Sequence, residues 1–216
     1  MLEIIHQDSH ILVLAKPPGL AVLPGGWGEQ MPCLKGMIEA QYGKIWVVHR
    51  LDKVTSGVMV FARTAEAHRA LNGQFERHTV GKVYHAIVEG LPPWEAHTAR
   101  HMLRTDVGRA HRTVVVRKRG KRSETAFKLL GRGPAQALLE AQPRTGRTHQ
   151  VRAHLAALGY PLVADTLYGA PETDLIARPA LHALSLSFLH PGSGGPVTFS
   201  AQAPQDFVVA LERAGL

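Results

Sequence analysis

Short apolar runs separated by turn residues dominate this chain. LEIIHQDSHILVLAKPPGLAVLP reads as two strands with turns at Gln7-Asp8-Ser9 and Pro17-Pro18-Gly19, because Asp, Ser, Pro and Gly favour turns over ladders. Residues 31–42 read as a short helix. IWVVHRLD and then SGVMVFAR read as strands, and Thr64 is placed to cap a helix over 65–77, where Ala and Leu are good helix formers. VYHAIVEG alternates polar and apolar positions, which predicts a strand, and residues 92–112 read as a long polar connection. TVVVRK, TAFKLLG and ALLEAQ predict three strands, 147–158 a helix, LHALSLSFLHP and PVTFSAQ two more strands, and 205–213 a closing helix. Strands outnumber helices and many are joined by short turns. The pattern predicts an α+β protein with a mixed, mostly antiparallel sheet and flanking helices, not a parallel βαβ fold. No linker divides the sequence, so 1–216 reads as one domain, a size that also accommodates two tightly packed halves around a cleft.

Hydrophobic residues make up 45% of the chain, enough for a packed core. The longest apolar runs, ILVLA, IWVV and VMVF, fall far short of a membrane span. The N-terminus has early acids and no long apolar stretch, unlike a signal peptide. The expectation is a cytoplasmic protein without a membrane partner, and nothing in the sequence demands more than a monomer. A single cysteine, Cys33, excludes an internal disulfide and a cysteine-based zinc site. The glycine-rich stretch GGWGEQ, residues 25–30, lacks the spacing of a phosphate-binding fingerprint.

A net charge of +8 and a pI near 10 bias the partners toward polyanions. Residues 100–122 carry nine Lys or Arg and one acid. Within them Arg117, Lys118, Arg119, Lys121 and Arg122 form the densest group, suited to phosphates or simply solvated. Such contacts position a nucleic acid without reading its sequence. A second cluster, RTGRTHQVRAHLAALG, runs from Arg144 to Gly159. A helix there would put Arg147 in its first turn, where a phosphate or a protein carboxylate is also favoured. The other reading is a surface helix with scattered cations.

Thirteen histidines invite a metal reading. His97 and His101 have zincin spacing, but Thr98 stands where the glutamate belongs and Pro92-Pro93 oppose a helix. No metal site and no cofactor are expected. No G-x-S-x-G elbow occurs. Asp52 lies in VVHRLDKVTSGVMVF far in sequence from other acids, the nearest being Glu39 and Glu66, so paired-carboxylate chemistry has no support.

VVHRLDKVTSGVMVFART resembles the H-R-L-D-x-x-T-S-G signature of the RluA-type pseudouridine synthases. Further matches follow in order. DSHILVLAKPPGLAVLPGG resembles the family's N-terminal strand pair with its lysine-proline turn, and KVYHAIVEG its K-x-Y-x-A-x-V-x-G strand. GRTHQVRAHLAALGYPLVADTLYG is similar to the G-R-T-H-Q-I-R-x-H-L block with its G-D-x-x-Y-G tail, and LHALSLSFLHP to the closing strand. Together they run from Asp8 to Pro191. Ala164 stands where the tail usually has Gly, and Val151 where Ile or Leu is common.

The resemblance implies the pseudouridine synthase fold with a central active-site cleft, in a short member lacking the N-terminal S4 RNA-binding domain. It implies isomerisation of uridine in ribosomal or transfer RNA, without a cofactor. Asp52 maps onto the catalytic aspartate, Arg147 onto the cation that keeps it ionised, and Tyr84 onto the ring that stacks on the uracil. The target uridine is flipped out of its stack to reach Asp52, and Arg50, beside the acid, enters the vacated space or grips the adjoining backbone. His49 either shapes the loop or meets RNA, and Lys16, Arg144 and Arg152 are further phosphate contacts. The competing reading is a non-catalytic RNA-binding or RNA-remodelling protein on the same fold.

Overall fold

A computed structural model describes residues 2–24, 32–108 and 110–216. The glycine-rich stretch at 25–30 and Arg109 of the basic segment lie outside the described residues. The elements in chain order are β1 Glu3–Gln7, β2 Ile11–Lys16, α1 Leu34–Tyr42, β3 Trp46–Val47, β4 Ser56–Ala62, α2 Ala65–Glu76, β5 Gly81–Glu89, β6 Ala96–Val107, β7 Arg112–Val116, β8 Lys121–Arg132, β9 Gln136–Pro143, α3 Gln150–Ala157, a 3-10 turn Thr166–Tyr168, β10 Leu181–Leu189, β11 Pro196–Ser200 and α4 Gln205–Arg213. They fall into two compact units, one of Met1–Lys82 with Ala183–Ala203, the other of Val83–His182 with Pro204–Leu216.

The first unit orders its strands β1-β2-β4-β10, with β3 added on β4 and β11 on β10. Every residue of β4 is buried, which is why it reads as an unbroken apolar run and not an alternating one. Ile11, Val13, Val58 and Val60 pack with Ala67 and Leu71 of α2 and with Leu186 and Phe188 of β10. Thr64 caps α2 as its position predicts, its hydroxyl accepting the Ala67 N–H at 3.1 Å. The strand expected over IWVVHRLD is much shorter, only Trp46–Val47. Two residues on, the His49 Nε2 accepts the Val60 N–H at 3.1 Å, so a side chain takes a bond that a longer β3 would make.

The second unit orders its strands β5-β9-β8-β6-β7, all antiparallel. Val151 and Leu155 of α3 bury against Ala86, Val88, Phe127 and Leu139 on one face of this sheet. An eight-residue helix is marginal by itself, so this packing is what stabilises it. The polar connection expected at 92–112 is instead a twelve-residue strand, β6. Its inward positions are His97, Ala99, His101 and Leu103, with the His101 ring against His154. Two inward histidines conceal the alternation that a strand normally shows. β7 pairs with β6 up to Met102↔Val116, and β8 starts on its other side at Leu103↔Lys121. Residues 117–120 therefore cross over β6. Gly120 permits the crossing, since a Cβ there would lie 3.0 Å from the Leu103 carbonyl oxygen.

Candidate active site

Each residue of the Asp52 motif has a local task in the first unit. His49 stacks on Phe75, with ring centroids 4.8 Å apart. Burial, and then the nearby Lys82 ammonium, push its pKa down to about 3, so the ring is neutral and accepts the Val60 N–H. Arg50 is exposed and Leu51 is buried as an anchor. Asp52 is half-buried, and its carbonyl accepts the Thr55 N–H at 3.0 Å, closing a turn. Thr55 and Ser56 are buried, and Gly57 at φ +126° lies against the Ala183 backbone. A Cβ there would sit 2.2 Å from the Ala183 carbonyl oxygen, so the motif requires glycine.

The lysine of the lysine-proline turn steadies the same loop. Lys16 is only 1% exposed, and its Nζ donates to the carbonyls of Pro17, Leu20 and Lys53 at 2.8, 2.9 and 3.1 Å. Gly19 N also donates to the Lys53 carbonyl. The ammonium therefore ties the 16–20 turn to the residue after Asp52, so the cation expected at a phosphate is here committed to backbone carbonyls. Lys82, which sequence reasoning passed over inside the K-x-Y strand, is half-buried, and burial lowers its pKa to about 8.

Tyr84 and Arg147 belong to the second unit. Tyr84 lies on β5 opposite Ala141, half-buried, with its ring against the core of that unit. Arg147 is not in a helical first turn: α3 begins at Gln150, and Arg147 sits in the preceding loop. Gln150 is the reason. Its Oε1 accepts the Arg147 N–H at 3.1 Å and the Thr145 hydroxyl at 2.6 Å, and its Nε2 donates to the Glu124 carbonyl and the Thr125 hydroxyl, both at 3.0 Å. The Arg147 Nε points to the Arg122 carbonyl at 3.4 Å, a long bond.

The rest of the block is buried and committed. Arg152, 5% exposed, makes a bidentate pair with Asp165 at 2.7 and 2.7 Å, and its guanidinium lies 5.1 Å from the Tyr168 ring centroid. The guanidinium expected at a phosphate is thus committed to Asp165. His154 is fully buried. The Ser123 hydroxyl donates to the His101 carbonyl, so His154 Nε2 must donate to Ser123 and its Nδ1 must accept from Thr125. Burial, with the His101 charge second, lowers the His154 pKa to about 4. Ser123 is therefore not an activated nucleophile.

Arg117, Lys118, Arg119, Lys121 and Arg122 are exposed on and beside the crossover. Arg144 is exposed but paired with Glu124, which Arg100 also holds. The G-D-x-x-Y-G tail holds the contacts missed from sequence, Asp165 and Tyr168, and its presence in the motif was the signal for them.

Among the described residues, one cluster has metal-ligand chemistry: His6, Asp8 and His190. Both Nε2 atoms lie 2.8 Å from Asp8 Oδ2. The His190 Nδ1 accepts the N–H groups of Gly192 and Ser193, so its Nε2 carries the proton and donates to Asp8. That tautomer has no lone pair for a metal at Nε2. The donor set does not fit a metal ion. It holds the Asp8 turn to the segment after β10; burial raises the Asp8 pKa, but the bonds from His6, from the Ile11 and His10 N–H groups and from His190 together keep it well below the usual carboxylate range. Among the described residues, no helix is long and apolar enough to cross a membrane.

A family model described as RNA pseudouridylate synthase matches residues 10–157. The ribosomal large subunit pseudouridine synthase D of Zymomonas mobilis is 36% identical over 222 residues, covering 95% of this chain and 70% of that protein. The dual-specificity RNA pseudouridine synthase RluA of Vibrio vulnificus is 39% identical over 197 residues, covering 88% of this chain and 79% of that protein. Some curated relatives are longer, with the chain spanning 59% of their length. The structure of human RNA pseudouridylate synthase domain containing 4 superposes with a TM-score of 0.81 at 26% identity, covering 99% of this chain and 93% of that one. The strand pattern, the motif loops and these likenesses agree: the chain has the pseudouridine synthase fold and belongs to the RNA pseudouridylate synthase family.

Proposed function

We propose that this protein is an isomerase that converts specific uridines in large-subunit ribosomal RNA, transfer RNA, or both, to pseudouridine. The intact Asp52 motif, inside the matched residues 10–157 and held by Lys16 and His49, carries this reading. In the reaction the N1–C1′ bond of uridine breaks and a C5–C1′ bond forms. The C5 hydrogen leaves to solvent and N1 gains one. Asp52 serves as nucleophile at the sugar, as electrostatic support for a cationic sugar, or as base, and each role needs the ionised form. Arg147 supplies the motif's positive charge, which orients the carboxylate. Tyr84 takes the flipped uracil on its ring, an interaction worth about 1–3 kcal/mol in comparable sites.

Arg50 grips RNA beside Asp52, and the crossover cations Arg117, Lys118, Arg119, Lys121 and Arg122 hold phosphates, with Arg144 a lesser contact. The protein works in the cytoplasm as a monomer, with 1–216 as one catalytic module. The test is tritium release from RNA labelled at uridine C5, with chelator present. The wild type should release tritium and Asp52→Asn should release none while still binding RNA. Equal binding with no release from the wild type would instead identify an RNA-binding protein.

A further inference from the structure

The Arg147 loop contains a strained residue. His149 adopts φ 52° without being glycine, and its side chain makes no cap bond to α3. Such a conformation persists only where neighbouring groups hold it. Here they come from β7 and the 3-10 turn. The Tyr168 hydroxyl accepts the Thr113 N–H at 2.8 Å and hydrogen-bonds His149 Nδ1 at 3.2 Å. The Thr113 hydroxyl donates to the Thr148 carbonyl at 2.8 Å. Gln150 fixes the Arg147 N–H from the other side.

Tyr168 is itself immobilised. Its ring lies beside the Arg152 guanidinium, which Asp165 locks bidentately, and its own N–H donates to the Asp165 carbonyl at 2.9 Å. Burial raises the phenol's pKa, so the hydroxyl is uncharged at neutral pH. Thr113 is 1% exposed and sits next to an irregular register between β6 and β7. Its N–H turns to this tyrosine and its hydroxyl to this loop.

We propose that the Tyr168 hydroxyl is a positioning group for Arg147, fastening the loop that carries Arg147 to Thr113 of β7. The inference rests on the catalytic role proposed for Arg147. Removing the hydroxyl leaves the Thr113 N–H without this acceptor and His149 without this partner, while the ring still packs on Arg152. The loop then relaxes and Arg147 spends less time aligned. Small misplacements of a catalytic group reduce turnover far more than substrate binding.

The experiment is single-turnover tritium release with excess enzyme, for wild type, Tyr168→Phe, Arg147→Ala and the double variant. Tyr168→Phe should lower the rate about tenfold while the RNA concentration for half-maximal rate stays within about twofold. In the Arg147→Ala background the same substitution should change the rate by less than about twofold, because the group it acts through is gone. Thr113→Val, which removes only the hydroxyl bond to Thr148, should reproduce the loss in milder form, and it carries the test if Tyr168→Phe does not fold. Full activity of Tyr168→Phe, or an equal fold-loss in both backgrounds, overturns the assignment. An inactive wild type would instead overturn the enzymatic reading itself.

Discussion

The two units hold their motif loops by different electrostatics. In the first, the Lys16 ammonium beside the Asp52 loop donates to carbonyls of Pro17, Leu20 and Lys53, a monopole set among backbone dipoles. In the second, the Arg152 guanidinium beside the Arg147 loop meets the Asp165 carboxylate in a bidentate pair. Both cations are almost wholly buried, at 1% and 5% exposure. The difference matters when a partner is removed. Backbone carbonyls that lose a cation remain neutral and can be rehydrated. A buried guanidinium that loses its carboxylate remains charged, and an uncompensated buried charge is far costlier than an unmade neutral hydrogen bond.

The sharpest way to break this comparison is Asp165→Asn. It keeps the shape and removes the charge, and urea unfolding should show a loss of about 3–5 kcal/mol. A loss below about 1 kcal/mol would mean the pair behaves like a surface ion pair. Lys16→Met, which keeps the volume and removes the ammonium, should cost less, about 2 kcal/mol from its unmet carbonyls. It also tests whether Lys16 is free of RNA. The salt dependence of RNA binding should not change, whereas a slope reduced by about 0.7–0.9 would put Lys16 on a phosphate.

The order of elements was legible because the apolar period shows through in most of them. β4 is buried throughout, α2 has its threonine cap, and the strands around the turns at Gln7-Asp8-Ser9 and Pro17-Pro18-Gly19 fall where turn chemistry puts them. β6 was hidden because His97 and His101 face inward and read as polar. β3 was overestimated because nothing local reveals that His49 takes the Val60 N–H. The helix start slipped from 147 to Gln150 because a glutamine side chain reaching back to Arg147 is a tertiary choice. The site shows the same division. Asp52, Tyr84 and Arg147 were marked by motif. Whether a motif cation is free or committed was not, since Lys16, Arg152 and the exposed Arg117 look alike in sequence while their acceptors lie up to 37 residues away.

The smallest expected effect separates two positions where the backbone turns to positive φ, one in each unit. Gly57 has no alternative, because φ +126° is combined with the Ala183 backbone where a Cβ would stand. Ala164, at φ +62°, directly precedes Asp165 where the family tail usually has glycine. A left-handed alanine costs about 1–2 kcal/mol. Glycine returns about 0.5–1 kcal/mol of that through its freer unfolded chain. Ala164→Gly should therefore stabilise the protein by about 0.5–1 kcal/mol, read as a higher urea midpoint at unchanged slope. The opposite sign would mean that the Ala164 methyl contributes packing worth more than the strain it causes. In that case the departure from the family tail would be a compensated substitution and not a tolerated one, and the turn holding Asp165 against Arg152 would depend on a side chain as well as on backbone geometry.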